Sequence, residues 1–304
     1  RPRAYPAFVS ELAEVSGLDP GYANCGTLIA ARDRDEAEIL DRELSLRQRF
    51  GLNASRLRPS EARRLEPALA PTLRGALELP DDHAIDPRRL TAALARAIRS
   101  ELVTGTEVTQ LDVTDGAVRG VISSTGRRFG APRVLIAAGV WSGRLVPDEA
   151  RVPLRPVKGQ ILRLRDPSGP GLLTRVLRTA SAYVVPRGDG RYVLGASVEE
   201  RGFDTSVTAG ALFELLRDAS ELLPGLSELV VEELSAGLRP GTPDNAPVIG
   251  AGIVDGLFWA TGHYRHGILL APITAELIAG ALTGEPVPEA FSPRRFAHVE
   301  ASVR

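Results

Sequence analysis

The chain has 304 residues, of which 43% are hydrophobic and 25% charged, the composition of a globular protein large enough for two domains. Its 37 Lys and Arg residues balance 38 Asp and Glu residues, so the net charge of -1 argues against binding to nucleic acid or an anionic membrane. No apolar run approaches the roughly 20 residues of a membrane helix. The single cysteine, Cys25, excludes an internal disulfide and a cysteine-based metal site. We therefore expect a cytoplasmic protein.

The first eighty residues combine helical and extended patterns and contain no recognisable catalytic motif. Apolar residues at helical spacing predict helices over 5–15 and 36–50, and a short apolar run predicts a strand over 26–31. A further helix is predicted over 58–65, because Pro59 suits its first turn. We expect these elements to serve packing.

Asp86 and Pro87 together mark a helix start. The Asp86 side chain can accept the free N–H groups of a first turn, and Pro87 suits the first helical position. The helix is predicted over 88–100, with one apolar face buried. Strands are predicted over 107–111 and 117–123, because β-rich residues there are separated by an Asp-Gly turn.

The apolar run at 133–138 stops at Gly139. A continuously apolar run of this length predicts a strand that is buried on both faces of an α/β sheet. Nucleotides bind at the carboxyl ends of such strands, so this edge is a candidate cofactor site.

From 152 to 233 the pattern changes to antiparallel β with one helix, predicted over 209–222. This region is interpreted as a separate domain on the substrate side. Short strands over 248–250 and 257–262 then lead into an apolar helix over 267–282. Because strand-rich segments lie on both sides of this region, the two domains are predicted to interleave.

The segment 257–272 predicts a strand, a glycine-bounded loop and a helix. A helix N-terminus carries free N–H donors and can hold an anion, while Gly262 and Gly267 allow a flat group to approach the backbone. A plain strand-to-helix connection explains the same spacing equally well. His263 and His266 have no third ligand nearby, so no metal site is predicted.

Arg239 lies between Leu238 and Pro240 in a segment rich in proline and glycine. A guanidinium held by rigid neighbours suits bidentate binding of a carboxylate, because its planar fork matches two oxygens and it stays charged. Arg239 is therefore the first candidate for a substrate anchor. The alternative is an ordinary surface arginine in a loop.

Four motifs carry a resemblance to a known family. They are Gly-Leu-Arg-Pro-Gly-Thr-Pro-Asp at 237–244, Thr-Gly-His-Tyr-Arg-His-Gly-Ile-Leu-Leu-Ala-Pro at 261–272, Ile-Ala-Ala-Gly-Val-Trp-Ser at 136–142 and Arg-Pro-Val-Lys-Gly-Gln at 155–160. In this order they resemble the FAD-dependent D-amino-acid oxidase superfamily, and within it the glycine oxidase (ThiO-type) branch. The resemblance extends over essentially the whole chain.

The resemblance implies an α/β fold in which a Rossmann-like FAD-binding domain of the glutathione-reductase type is interleaved with an antiparallel-sheet substrate domain. The expected FAD-binding domain comprises 84–150 and 235–304, and the substrate domain 1–83 and 151–234. The family opens with a strand, a Gly-x-Gly-x-x-Gly turn and a helix that hold the FAD pyrophosphate. No such glycine set occurs before Gly139. Either that unit lies outside this sequence or the chain holds no FAD by itself.

The resemblance also implies roles for individual residues. Arg239 matches the arginine that pairs with the substrate carboxylate, Tyr183 the tyrosine that orients it, and Arg265 a further substrate-site arginine. The remaining positions are expected to contact FAD: Val108 at the adenine, Ala138 and Gly139 at a strand end, and His263, Tyr264, Arg265, His266, Gly267, Ile268 and Leu269 along the flavin.

The implied activity is oxidative deamination of glycine, with hydride transfer to the flavin and no side-chain base. Oxygen would reoxidise the flavin, giving hydrogen peroxide, glyoxylate and ammonia, and in ThiO-type proteins the imine feeds the thiazole of thiamine. The implied partners are a small amino acid and oxygen, and a homo-oligomer is left open. The alternatives are a sarcosine oxidase, a D-amino-acid dehydrogenase and a flavin-free remnant.

Overall fold

The computed structural model describes residues 5–296. Within that range the helices α1–α6, in chain order, are Tyr5–Ser16, Arg34–Arg49, Pro59–Leu65, Pro87–Ala97, Ala209–Leu222 and Gly267–Leu282. The strands β1–β16 are Tyr22–Ala23, Thr27–Ala31, Ser55–Leu57, Gly75–Leu79, Ala84–Ile85, Val108–Thr114, Ala117–Ser123, Arg128–Gly130, Val134–Ile136, Arg155–Arg165, Val176–Arg178, Tyr183–Pro186, Arg191–Gly195, Val230–Gly241, Val248–Ala251 and Leu257–Thr261.

Capping side chains mark the start of helices α4 and α5. Asp86 accepts hydrogen bonds from the first-turn amides of α4, and Thr208 caps α5 in the same way. The predicted apolar face of α4 is only partly covered, because Leu90 is buried whereas Leu94 and Ile98 are exposed. The expectation of one fully buried face is therefore wrong for the second half of this helix.

The largest sheet has eight strands in the order β14-β10-β13-β12-β11-β2-β4-β3. Every neighbouring pair is antiparallel except β11 and β2, which run parallel. This agrees with the antiparallel pattern predicted for 152–233. Strand β14 continues to Gly241, so the domain boundary predicted at 234/235 falls inside a strand of this sheet. The division into two domains itself stays a prediction.

One face of this sheet forms the main hydrophobic core. Leu162, Val184 and Leu194 point to it from three adjacent strands, and Leu215 and Leu222 of α5 pack against them. Because side chains alternate along a strand, the next residue on each strand points to the opposite face. That opposite face, over strands β14 to β11, carries the candidate site.

A second core lies between two smaller sheets. Strand β9 pairs in parallel with β16, which also pairs with β15, and the meander β6-β7-β8 lies against them through Leu111, Ile136 and Trp259. Strand β9 was predicted to be buried on both faces, which is wrong for Leu135, whose relative exposure is 41%. Ile136 packs on the meander, whereas Leu135 points to a face that residues 5–296 leave uncovered. No helix in this range is long and apolar enough to cross a membrane.

Candidate functional site

Arg239 and Tyr183 lie on the same face of the eight-stranded sheet. Tyr183 on β12 is paired with Gly195 on β13, which is paired with Ile161 on β10. Arg239 on β14 is paired with Val157, four residues before Ile161 on the same strand. Residues an even number of positions apart on a strand share a face, so the register brings both candidate substrate residues to one surface.

The Arg239 guanidinium is anchored to the backbone of two neighbouring strand ends. Its Nη1 donates to the Lys158 carbonyl oxygen at 3.2 Å and to the Ser197 carbonyl oxygen at 3.1 Å. Burial lowers the pKa of Arg239, and the positive charge of Arg265 acts in the same direction. An arginine nevertheless stays protonated at physiological pH, so this anchored group is a fixed positive charge.

A cavity of about 640 Å³ opens beside the turn between β11 and β12 and the segment that follows β13. Arg178, Tyr183, Val198 and Arg265 line it together with residues of α5, whereas Arg239 is not among its lining residues. Arg178 is the ladder partner of Tyr183 on β11, so it adds positive charge on the same face. Sequence reasoning missed Arg178, because only the pairing of β11 with β12 brings it beside Tyr183. Glu199, Glu214 and Asp218 also line the cavity, so a ligand carboxylate is best matched on the sheet face that carries Arg178 and Arg239.

The loop between β16 and α6 is tied to the strand that carries Arg239. The Tyr264 backbone N–H donates to the Pro240 carbonyl oxygen at 2.9 Å, and Tyr264 itself has a left-handed φ of 48°. Arg265 follows directly and reaches the cavity. The structure therefore brings Arg265 into the neighbourhood of Tyr183 and Arg239, as expected for three residues of one site.

The first turn of α6 combines free amides with exposed apolar side chains. The helix begins after His266 with no capping side chain on its N–H groups, and Gly267, Ile268 and Leu269 are exposed. Leu135 on β9, the register partner of Phe258 on β16, is exposed as well. A surface of amide donors and apolar side chains fits a flat aromatic ring with a polar edge.

Ala138 and Gly139 directly follow the parallel strand β9, at the edge where its carboxyl end and that of β16 meet. The Thr261 hydroxyl at the end of β16 donates to the Gly139 carbonyl oxygen at 2.9 Å, which fixes this edge. The contact of these residues and of the first turn of α6 with FAD stays a prediction. Val108 begins β6 in the meander, where it is half-buried, and its contact with adenine stays a prediction.

His263 connects the loop to α6. Its Nε2 is 2.9 Å from the Thr274 hydroxyl, and residues 5–296 contain no cluster of potential metal ligands. Burial lowers the pKa of His263 from its usual 6.5, so the neutral imidazole is favoured in the folded protein. The absence of a bound metal stays a prediction.

The lowered pKa of His263 has a measurable consequence for stability. Below pH 6.5 the unfolded chain takes up a proton at His263 that the folded chain resists, so folding stability should fall as the pH decreases from 7 to 5. We expect His263→Gln to flatten this part of the pH profile, as measured by thermal unfolding. The exposed His266→Gln is the matched control, and a profile that His263→Gln leaves unchanged would contradict the prediction.

The chain matches the model of the FAD dependent oxidoreductase (DAO) family over residues 3–281. It is 36% identical to the glycine oxidase of Geobacillus kaustophilus over 281 residues, covering 90% of this chain and 74% of that protein. It is 35% identical to the bifunctional protein ThiO/ThiG of Synechocystis sp., covering 96% of this chain. The chain spans less than half, 43%, of that longer relative.

The fold is shared as well. The crystal structure of glycine oxidase from Geobacillus kaustophilus superposes with a TM-score of 0.89 at 33% identity, covering 97% of this chain and 81% of that one. The expected architecture, an FAD-binding α/β fold joined to an antiparallel sheet, is thereby confirmed. The predicted family resemblance and the cofactor class are confirmed with it. The chain belongs to the DAO family of FAD dependent oxidoreductases.

Proposed function

We propose that this protein oxidises the carbon–nitrogen bond of a small amino acid, with glycine as the preferred substrate. The observation that carries the proposal is the anchored guanidinium of Arg239, which shares a sheet face with Tyr183, a residue that lines the cavity. A fixed positive charge with unused N–H groups is what a substrate carboxylate requires. Similarity to glycine oxidases supports the same substrate.

FAD, when bound, supplies the two-electron acceptor for this oxidation. The residues proposed to hold it are those at the exposed sheet edge, namely Ala138, Gly139 and the segment 263–269, with Val108 at the adenine. Their part is to present amide donors and an apolar surface. Positive charge at the α6 N-terminus would stabilise negative charge that develops on the bound group.

The proposed role of the substrate-binding residues is to position the amino acid. Arg239 binds the carboxylate, the Tyr183 hydroxyl donates to it, and Arg265 adds positive charge at the cavity. Holding one end of glycine in this way fixes the orientation of its Cα–H bond, which can account for a large part of a rate enhancement. The overall reaction converts glycine, oxygen and water into glyoxylate, ammonia and hydrogen peroxide, with all atoms and two electrons balanced.

Sarcosine and small D-amino acids stay alternative substrates. Val198 lines the cavity and is 53% exposed. An extra methyl group on the nitrogen or on Cα of the amino acid is therefore not blocked at this position. A quinone in place of oxygen as the electron acceptor would make the protein a dehydrogenase. Delivery of the imine to thiazole formation, a homo-oligomer and a cytoplasmic location are further proposals that the ThiO-type resemblance suggests.

The test is the visible absorption spectrum of the purified full-length gene product under anaerobic conditions. Addition of glycine should bleach the flavin bands, and admission of air should restore them with one hydrogen peroxide per glycine consumed. Bleaching by sarcosine or D-alanine but not by glycine would overturn the preferred substrate. Bleaching by glycine without reoxidation in air would instead indicate a dehydrogenase, and a colourless protein would contradict the whole proposal.

A further inference from the structure

Two strands carry glycine at the points where they pass beneath the candidate substrate residues. Gly159 on β10 lies under the guanidinium of Arg239, and Gly195 on β13 lies under the ring of Tyr183. A methyl group on Gly159 would lie 2.2 Å from Nη2 and 2.5 Å from Cζ of Arg239. A methyl group on Gly195 would lie 2.6 Å from the Tyr183 hydroxyl oxygen. Neither approach is sterically possible without displacing the side chain above.

A left-handed backbone does not explain these glycines. Neither Gly159 nor Gly195 has a positive φ, so neither position needs glycine for that reason. Glycine in a strand interior weakens the strand, because it costs conformational entropy and offers no side chain to pack. What both positions share is the close approach of a functional side chain to the backbone.

Gly159 also belongs to the backbone that anchors Arg239. The carbonyl of the preceding residue, Lys158, accepts from Nη1, and the Ser197 carbonyl accepts from the same nitrogen. The guanidinium that donates to both oxygens lies close over the bare Cα of Gly159. Its Nε and Nη2 groups can then donate to a ligand.

We propose that Gly159 is a positioning residue for substrate binding: the absence of its side chain sets the height at which Arg239 holds a carboxylate above the sheet. Gly195 does the same for the Tyr183 hydroxyl. Together the two glycines set how close Arg239 and Tyr183 lie to the sheet, and this fixes the position of the substrate's carboxylate. This inference rests on the proposed function, because it assumes that Arg239 binds the carboxylate of the amino acid.

The chain offers a matched pair of variants for the test. Gly237 on β14 is the register partner of Gly159, and a methyl group there meets no atom within 4 Å. We expect Gly159→Ala to lower kcat/KM for glycine about 100-fold, mainly through KM, since a displacement of about 1 Å can have that effect. Gly237→Ala should match the wild-type protein. Inhibition by acetate, which carries the carboxylate without the amine, should weaken in parallel with KM.

A double variant separates positioning from a general structural defect. Gly159→Ala would displace Nη2, Cζ and Nη1 of Arg239, and Gln has none of these three atoms. The effects of the two changes on kcat/KM should therefore not add. In an Arg239→Gln background, Gly159→Ala should lower kcat/KM almost no further. If Gly159→Ala alone is too unstable to purify, the double variant should recover the fold. The inference is overturned if Gly159→Ala has the wild-type KM. It is also overturned if the effects of the two changes on kcat/KM add fully, or if the double variant is as unstable as Gly159→Ala alone.

The same experiment distinguishes this inference from the proposed function. If the wild-type protein neither oxidises glycine nor binds acetate, the proposed function fails. If the wild-type protein does both and Gly159→Ala is indistinguishable from it, only the role of Gly159 fails.

Discussion

Replacing Arg239 by Gln is expected to lower kcat/KM for glycine by roughly 30- to 5,000-fold, the equivalent of about 2 to 5 kcal/mol for the loss of one partner from a buried charge pair. The guanidinium is half-buried, and one of its nitrogens is already committed to two carbonyl oxygens. Gln keeps two of the three methylene groups and a polar end but supplies neither the positive charge nor the fork. The measurement is steady-state kinetics on FAD-loaded protein, with glycine varied.

Two further variants make the result specific to the guanidinium. Arg239→Lys keeps a positive charge but loses the planar pair of donors, so its kcat/KM should lie between those of the wild type and Arg239→Gln. Arg42→Gln removes an exposed arginine from the solvent side of α2 and should leave kcat/KM unchanged. If Arg239→Gln retains wild-type efficiency with glycine, Arg239 is not the carboxylate anchor.

Elements with local signals could be predicted from the sequence almost to the residue. The helix predicted over 209–222 occurs as Ala209–Leu222, because Thr208 caps it and its apolar spacing is contained within it. The helix predicted over 267–282 occurs as Gly267–Leu282. Strand β11, at Val176–Arg178, had no such signal. Three residues give too short a pattern, and the strand exists because β2 and β12 pair with it from distant parts of the chain.

In the candidate site, too, local sequence signals could be read from the sequence, whereas contacts between distant strands could not. Arg239 and Arg265 lie in motifs that are contiguous runs of residues, and the family resemblance points to Tyr183, so all three could be proposed from the sequence; their roles stay predictions. The supporting contacts could not, since the carbonyls of Lys158 and Ser197 and the bare Cα of Gly159 come from strands whose register is fixed only by the folded sheet. A shift of one residue in that register would send every one of these groups to the opposite face.

Glu66 is expected to be the most costly polar residue to replace outside the site. Its carboxylate is 2% exposed and lies where α3 ends. It accepts hydrogen bonds from the Thr174 N–H at 3.1 Å, the Thr174 hydroxyl at 2.5 Å and the Arg175 N–H at 2.9 Å, and the Arg175 guanidinium lies 3.3 Å away. These contacts fix the chain just before β11, which in turn pairs with the strand that carries Tyr183.

We therefore expect Glu66→Gln to lower the free energy of unfolding by about 3 to 5 kcal/mol, the usual cost of removing one partner from a buried charge pair. The amide NH₂ of Gln cannot accept the hydrogen bonds that the carboxylate accepts, so donors would face one another there. The change would also leave the Arg175 charge without its partner. Urea unfolding of the variant and of wild-type protein under identical cofactor conditions measures the difference. Glu214→Gln, at an exposed position of α5, is the matched control and should be neutral. A loss below about 1 kcal/mol for Glu66→Gln would mean that solvent or a rearranged side chain replaces the carboxylate, and that the segment before β11 is held by strand pairing alone.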